Sequence, residues 1–234
     1  MPAEDNLQYS FALTPGGLEL KKGADELGTP AAAFARAALR SSDDGPYTAA
    51  IALREGFDDH AFAAMRAVLA WSGRKTVVLG SDKGDLAGLN GITAQVACAY
   101  VDAPALGAEA IIVLPGGLYP DKSWLGAEQP AWIAQQAQRD DKRLKWVMDA
   151  YAKGATVVVL GYDGARLAGL DACRGLAFAC PVHAESKFWG GKPGKRARDG
   201  TIKTHDRMYS AQGFDALGEL LRLLEKDGVL GIAK

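Results

Sequence analysis

The chain has 234 residues, 48% of them hydrophobic, and 27 Lys and Arg stand against 28 Asp and Glu for a net charge of -1. That length holds one α/β domain with an appendage, or two small domains, and the apolar share suffices for one sizeable core. So even a charge balance excludes a global field drawing the chain to nucleic acid or membrane, and no apolar run approaches the ~20 residues that a membrane span needs.

Residues 1–46 are polar and broken by turn signals, at Thr14-Pro-Gly-Gly17, Gly28-Thr-Pro30 and Ser41-Ser-Asp-Asp-Gly-Pro46. Met1-Pro-Ala-Glu-Asp-Asn6 has neither a basic n-region nor an apolar h-region, so no signal peptide is expected and a cytoplasmic location is. Thr29 suits an N-cap and Pro30 the first turn of a helix running to Arg40. This stretch reads as an N-terminal extension, packed on the surface or reaching a partner subunit. Pro46 marks its end, and 47–234 reads as the main domain.

From Tyr47 the pattern is βαβ. Thr48–Leu53 is an apolar strand, and Asp58–Ser72 is a helix with Phe62, Met65, Val68 and Leu69 at helical spacing. Thr76–Leu79 is a strand closed by Gly80. Leu86–Val96 folds as two short strands about the Asn90-Gly91 dipeptide. Ala110–Leu114 is a buried strand ending in Pro115-Gly116-Gly117. Gln129-Pro130 opens a helical segment to Lys153, with a break expected near Asp140-Asp141. Thr156–Leu160 is a fully apolar strand before Gly161-Tyr162-Asp163-Gly164 and a short helix. Leu176–Ala179 and Thr201–Thr204 are weaker strands, and Phe214–Lys226 is an amphipathic last helix. Apolar strands alternating with helices predict an α/β fold, a flavodoxin-like three-layer α/β/α sandwich on a mostly parallel sheet. Sites in such sheets lie beyond the strand C-termini, which singles out Arg54–Asp58, Gly80–Gly84, Leu114–Gly117 and Gly161–Gly164.

Several groups carry candidate chemistry. Cys98, Cys173 and Cys180 are too few and too scattered for a disulfide framework or a CxxC metal site, and three reduced thiols are expected. In Ala179-Cys180-Pro-Val-His183 the thiol is either a small buried apolar side chain or, with His183 beside it, a reactive thiolate. Asp163 suits a helix cap at the start of the short helix. Glu55, Asp58 and Asp59 next to His60 read as a solvated helix N-terminus rather than a metal site. His205-Asp206 is expected in an exposed loop. Gly161-x-x-Gly164 is an incomplete dinucleotide fingerprint with no Walker lysine; no cofactor is expected and, with the acidic cluster read as a helix start, no metal. The basic, glycine-rich Lys187–Arg198 stretch reads as a surface loop, and no nucleic acid partner is expected.

Ile51-Ala-Leu-Arg-Glu-Gly-Phe-Asp-Asp59, Leu89-Asn-Gly-Ile92 and Ile111-Ile-Val-Leu-Pro-Gly-Gly117 occur in an order and spacing that resemble the ThiJ/PfpI (class I glutamine amidotransferase-like) superfamily. Asp199-Gly-Thr-Ile-Lys-Thr204 and the last helix resemble its closing elements. Active members carry a cysteine at the turn aligned with Gly161, and an acidic residue at the place of Ala61, with Asp58 and Asp59 one turn away. A glycine offers no side chain, so the resemblance implies that the covalent chemistry of the family does not start there. It also implies an oxyanion-hole backbone at Pro115-Gly116-Gly117, and a vestigial pocket of Asp58, Gly161, Tyr162 and Asp163 around it. Trp146–Lys153 and Leu160–Leu167 resemble, more narrowly, the C-terminal domain of large-subunit haem catalases, an accessory domain linked with stability, assembly and chaperoning. Neither haem motif of the catalase core is present, and Tyr209 is no convincing haem ligand. The resemblance implies a non-catalytic domain that binds, chaperones or assembles, as a homo-oligomer, a dimer in the first instance, with a protein client or a haem catalase as partner. The alternatives are a thiol-dependent hydrolase or glyoxalase-like enzyme using Cys180 with His183, and an accessory partner of a haem catalase.

Overall fold

The computed structural model describes residues 11–14, 17–20, 46–117, 131–181, 194–197 and 200–231, with backbone alone for 11–14, 17–20 and 131–138. The chain divides into two units, 1–45 and 46–234. In the first, β1 (Phe11–Thr14) and β2 (Gly17–Leu20) pair antiparallel. The helix expected over residues 30–40 lies outside the described residues.

The second unit is built in chain order from β3 (Ala49–Ala52), α1 (Asp59–Trp71), β4 (Thr76–Gly80), the hairpin β5 (Gly84–Ala87) and β6 (Thr93–Val96), then β7 (Cys98–Ala99) and β8 (Ile111–Leu114). There follow α2 (Ala131–Ala152), β9 (Thr156–Leu160), α3 (Tyr162–Leu167), β10 (Ala177–Phe178), β11 (Lys195–Arg196), β12 (Ile202–His205), β13 (Met208–Ala211) and α4 (Leu217–Lys226). Seven strands form one sheet in the order β12-β13-β9-β8-β3-β4-β7. All pair in parallel except the edge strand β12, antiparallel to β13.

Strand side chains alternate between two cores, as the period of two requires. Ala49, Ile51, Val113, Val158 and Leu160 face Phe62, Met65 and Leu69 of α1 and Leu217, Leu220 and Leu224 of α4. Ala50, Ala52, Ile112, Leu114, Val157 and Val159 face Leu144 and Val147 of α2 and Leu167 of α3. Helices on both faces of a mostly parallel sheet are the three layers predicted. Both faces being buried, the strands read as unbroken apolar runs.

Two expectations are corrected, and one strand stands where none was expected. α2 runs unbroken through Asp140-Asp141, because Asp140 turns inward to a buried partner rather than ending the helix. β13 carries no strand-length apolar run, yet all four of its residues are buried between β12 and β9. His205 ends β12 instead of standing free in a loop, and its Nε2 lies 2.7 Å from the Ala177 carbonyl oxygen. No helix among the described residues is long and apolar enough to cross a membrane.

Candidate functional site

β3 is flanked by β4 on one side and β8 on the other, so the chain reverses its direction of travel across the sheet between β3 and β8. The C-terminal ends of strands at such a reversal leave a crevice. Three of the four turns singled out from the sequence converge there, after β3, β8 and β9. The fourth, Gly80–Gly84, leads instead into the β5–β6 hairpin.

Gly161 stands between the last residue of β9 and the first of α3, with φ 57° and ψ -133°. That is the sharp strand-to-helix bend on which α/β enzymes mount a nucleophile, and L side chains adopt such a conformation only under strain. A Cβ built on Gly161 would meet nothing closer than 3.9 Å. Space for a side chain therefore exists, but the residue supplies none. Gly116 and Gly117 close over the bend, with φ 86° and 123°. A Cβ on Gly116 would lie 2.7 Å from the Leu160 carbonyl oxygen, and one on Gly117 only 2.1 Å from that of Gly56. Only glycine lets these backbones approach so closely.

Asp163 fills the space under this loop. It does not cap α3 as expected: the helix has no side-chain cap. Its fully buried carboxylate instead accepts four hydrogen bonds. Arg143 donates from Nη1 to Oδ2 at 3.0 Å and from Nη2 to Oδ1 at 2.6 Å. Arg54 donates from Nε to Oδ1 at 3.3 Å, and the Gly116 amide donates to Oδ2 at 3.1 Å. The fork of Arg143 is bidentate, the geometry that holds a carboxylate most firmly. Arg143 is itself buried, donates from Nε to Asp140 Oδ1 at 2.7 Å, and reaches the Ala52 carbonyl. Arg166 donates to the second oxygen of Asp140 at 2.6 Å. Arg54 also donates to the Gly117 carbonyl at 3.2 Å, which ties the loop to the cluster.

Burial alone would raise the pKa of Asp163. Arg143, Arg54 and the Gly116 amide outweigh it and hold the carboxyl down at about 2. Burial likewise works against the Arg143 cation, and the Asp140 and Asp163 carboxylates overcome it, keeping the pKa above its ordinary value. Tyr100 lies beside the cluster, donating to the Leu53 carbonyl, and burial pushes its hydroxyl pKa up. The bend thus holds a closed, charge-paired network rather than an exposed nucleophile.

The other candidates separate from this network. Asp58 N-caps α1, accepting from the Ala61 amide at 2.9 Å, and Ala61 is buried. Asp59 is no solvated helix-start residue. It is fully buried, and it accepts from the Asn90 amide at 2.6 Å and the Ile92 amide at 3.3 Å, which pins the hairpin tip to α1. His60 is exposed and its ring lies 5.6 Å from that of Phe214. Among the described residues no group of His, Cys, Asp and Glu is placed to hold a metal. Cys180 is fully buried against Ala165 and the half-buried Tyr162 of α3. Its suggested partner His183, and most of the Lys187–Arg198 stretch, lie outside the described residues. Tyr209 donates to Asp227 at 3.0 Å.

Sequence reasoning placed Arg54 in a turn at the site without giving it a role, and it missed Arg143, Asp140 and Arg166 as members of the site. Arg139-Asp-Asp-Lys-Arg143 looks like a solvated charge run. The available signal was helical spacing, since Asp140 and Arg143 share a face with Leu144 and Val147, and that face is buried.

The sequence matches no family model and no curated protein. Solved structures do match. A DJ-1 superfamily protein from Salmonella typhimurium has a TM-score of 0.56 at 19% identity, over 79% of this chain and 94% of that one. Drosophila melanogaster DJ-1beta has a TM-score of 0.60 at 15% identity, over 81% and 96%. A two-domain protein from Anabaena variabilis, with DJ-1/ThiJ/PfpI-like and ferritin-like domains, has a TM-score of 0.61 at 18% identity, over 81% of this chain and 50% of that one. The chain has the α/β fold shared by the DJ-1/ThiJ/PfpI proteins.

Proposed function

We propose that this chain is a DJ-1/ThiJ/PfpI-like domain without covalent catalysis at the strand-to-helix bend, acting by binding, chaperoning or assembly as a homo-oligomer. The observation that carries the reading is Gly161 at that bend, with no atom to attack a carbonyl carbon. Asp163 supports it. The Gly116 amide, which would stabilise an oxyanion in an acyl-transfer enzyme, already donates to this carboxylate. The narrower likeness to the haem catalase accessory domain gives the same reading, with a catalase subunit as one possible partner. The Anabaena protein offers a parallel, because there a domain of this fold is joined to another domain.

A second reading, a thiol enzyme using Cys180, has one observation in its favour: the residue packs on the helix of the bend. Its complete burial weighs against it, since a nucleophile must meet its substrate. The two are separated by assaying the purified protein for methylglyoxal consumption and ester hydrolysis. In parallel, light scattering would follow a heat-denatured client protein with and without the chain. The proposal expects suppressed client aggregation and no turnover. Turnover that disappears in Cys180→Ser overturns it.

A further inference from the structure

We propose that Arg143, Arg54 and the Gly116 amide form a carboxylate receptor at the strand-to-helix bend, and that its resident ligand is the side chain of Asp163. A bidentate guanidinium, a second guanidinium and a backbone N–H converge on two oxygen atoms at 2.6–3.3 Å. Every one of these donors is positioned by something other than Asp163. Arg143 is fixed by Asp140 and the Ala52 carbonyl, and Arg54 by the Gly117 carbonyl. The Gly116 amide is fixed by a loop so close to Leu160 that only glycine fits. A receptor whose donors are held by independent contacts stays organised when its ligand leaves, and preorganisation of this kind lowers the cost of binding.

The chemical class of ligand follows from geometry and charge. Two cations and one N–H, aimed at a planar pair of oxygens in a water-poor interior, select a monoanionic carboxylate. Asp163→Ala removes one carbon and two oxygens, the heavy atoms of formate. The vacated volume therefore matches formate, and acetate carries one methyl too many. This donor geometry binds a carboxylate whether or not the chain has chemistry elsewhere. It adds to the proposed function a reason why an outside ligand does not enter at the bend of the natural protein.

The test uses the full chain and its Asp163→Ala variant, melted in sodium formate and in sodium chloride of equal concentration at neutral pH. The variant is expected to melt below the parent. Formate, but not chloride, then raises its Tm in a saturating manner, by about 3–5 °C at tenfold over Kd for a chain of this size. The parent and Asp163→Asn, where the space is still filled, show no difference between the two salts. Equal responses of Asp163→Ala to formate and chloride overturn the proposal. So does a formate-specific rise of the same size in Asp163→Asn. Should Asp163→Ala fail to fold in chloride, refolding from urea is followed by near-ultraviolet circular dichroism. Recovery in formate alone supports the receptor, and failure in both salts counts against it.

Discussion

Asp163 and Arg143 form a buried pair in which each supports the other's charge, with Arg54 and the Gly116 amide assisting the carboxylate and Asp140 the cation. Removing one partner of such a pair is costlier than removing both, because a single buried charge is left uncompensated. Arg143→Met should lower stability by about 3–5 kcal/mol, and Arg143→Met combined with Asp163→Leu by less than the sum of the two single changes. Urea denaturation at pH 7 checks this, and strict additivity would show that the pair is not coupled. The pH dependence has a definite sign. The folded pKa of Asp163 lies below the ordinary 3.8, at about 2. Its contribution is therefore fully present above pH 4 and is lost as pH falls through the window from about 4 to about 2, amounting to about 2 kcal/mol. Asp163→Asn should lack that share of the acid limb. Stability curves of parent and variant that run parallel between pH 4 and pH 2 would rule the low pKa out.

At the scale of elements, the informative unit is the β9–Gly161–α3 turn together with the loop after β8. Gly161→Cys has room, since the nearest atoms to its Cβ lie 3.9 Å away, but φ stays positive. We expect a folded protein weakened by about 1–3 kcal/mol. No esterase activity should appear, because the Gly116 amide remains committed to Asp163. Hydrolysis of a p-nitrophenyl ester by the variant alone would show that the missing sulfur was the whole deficit. Much of this unit was legible in the sequence. Apolar runs of strand length marked β3, β4, β8 and β9, and the Asn90-Gly91 dipeptide marked the β5–β6 hairpin. The resemblance placed Gly161 at the aligned position of the nucleophile. What was not legible depends on partners distant in the chain. Arg143 and Asp163 are 20 residues apart and Arg54 and Asp163 are 109 apart, so no local pattern announces them. Asp163 looked like a cap because local rules favour Asp at a helix start, and tertiary pairing overrode the rule. β13 escaped notice because Met208-Tyr-Ser-Ala211 takes its burial from its neighbours, not from its own hydrophobicity.

Across the whole molecule, the three thiols sit at different depths and so report on how the fold opens. Cys98 lies half-buried on the edge strand β7, with Sγ donating to the Asp102 carbonyl at 3.0 Å. Cys173 and Cys180 are buried. Burial raises the Cys173 thiol to about 11, which leaves little thiolate at neutral pH. Iodoacetamide at neutral pH should therefore modify Cys98 first. Cys173 and Cys180 should follow only through opening of the structure, about a hundredfold more slowly if opening costs about 3 kcal/mol. Peptide mass spectrometry over a time course resolves the three rates. Mild urea should accelerate the two slow ones while leaving Cys98 nearly unchanged, because only the buried sulfurs wait for the chain to open. A Cys180 that reacts before Cys98 would mean that α3 moves aside in the native state. The thiol beside the bend would then be available to a substrate, and the non-catalytic reading would give way to the enzymatic one.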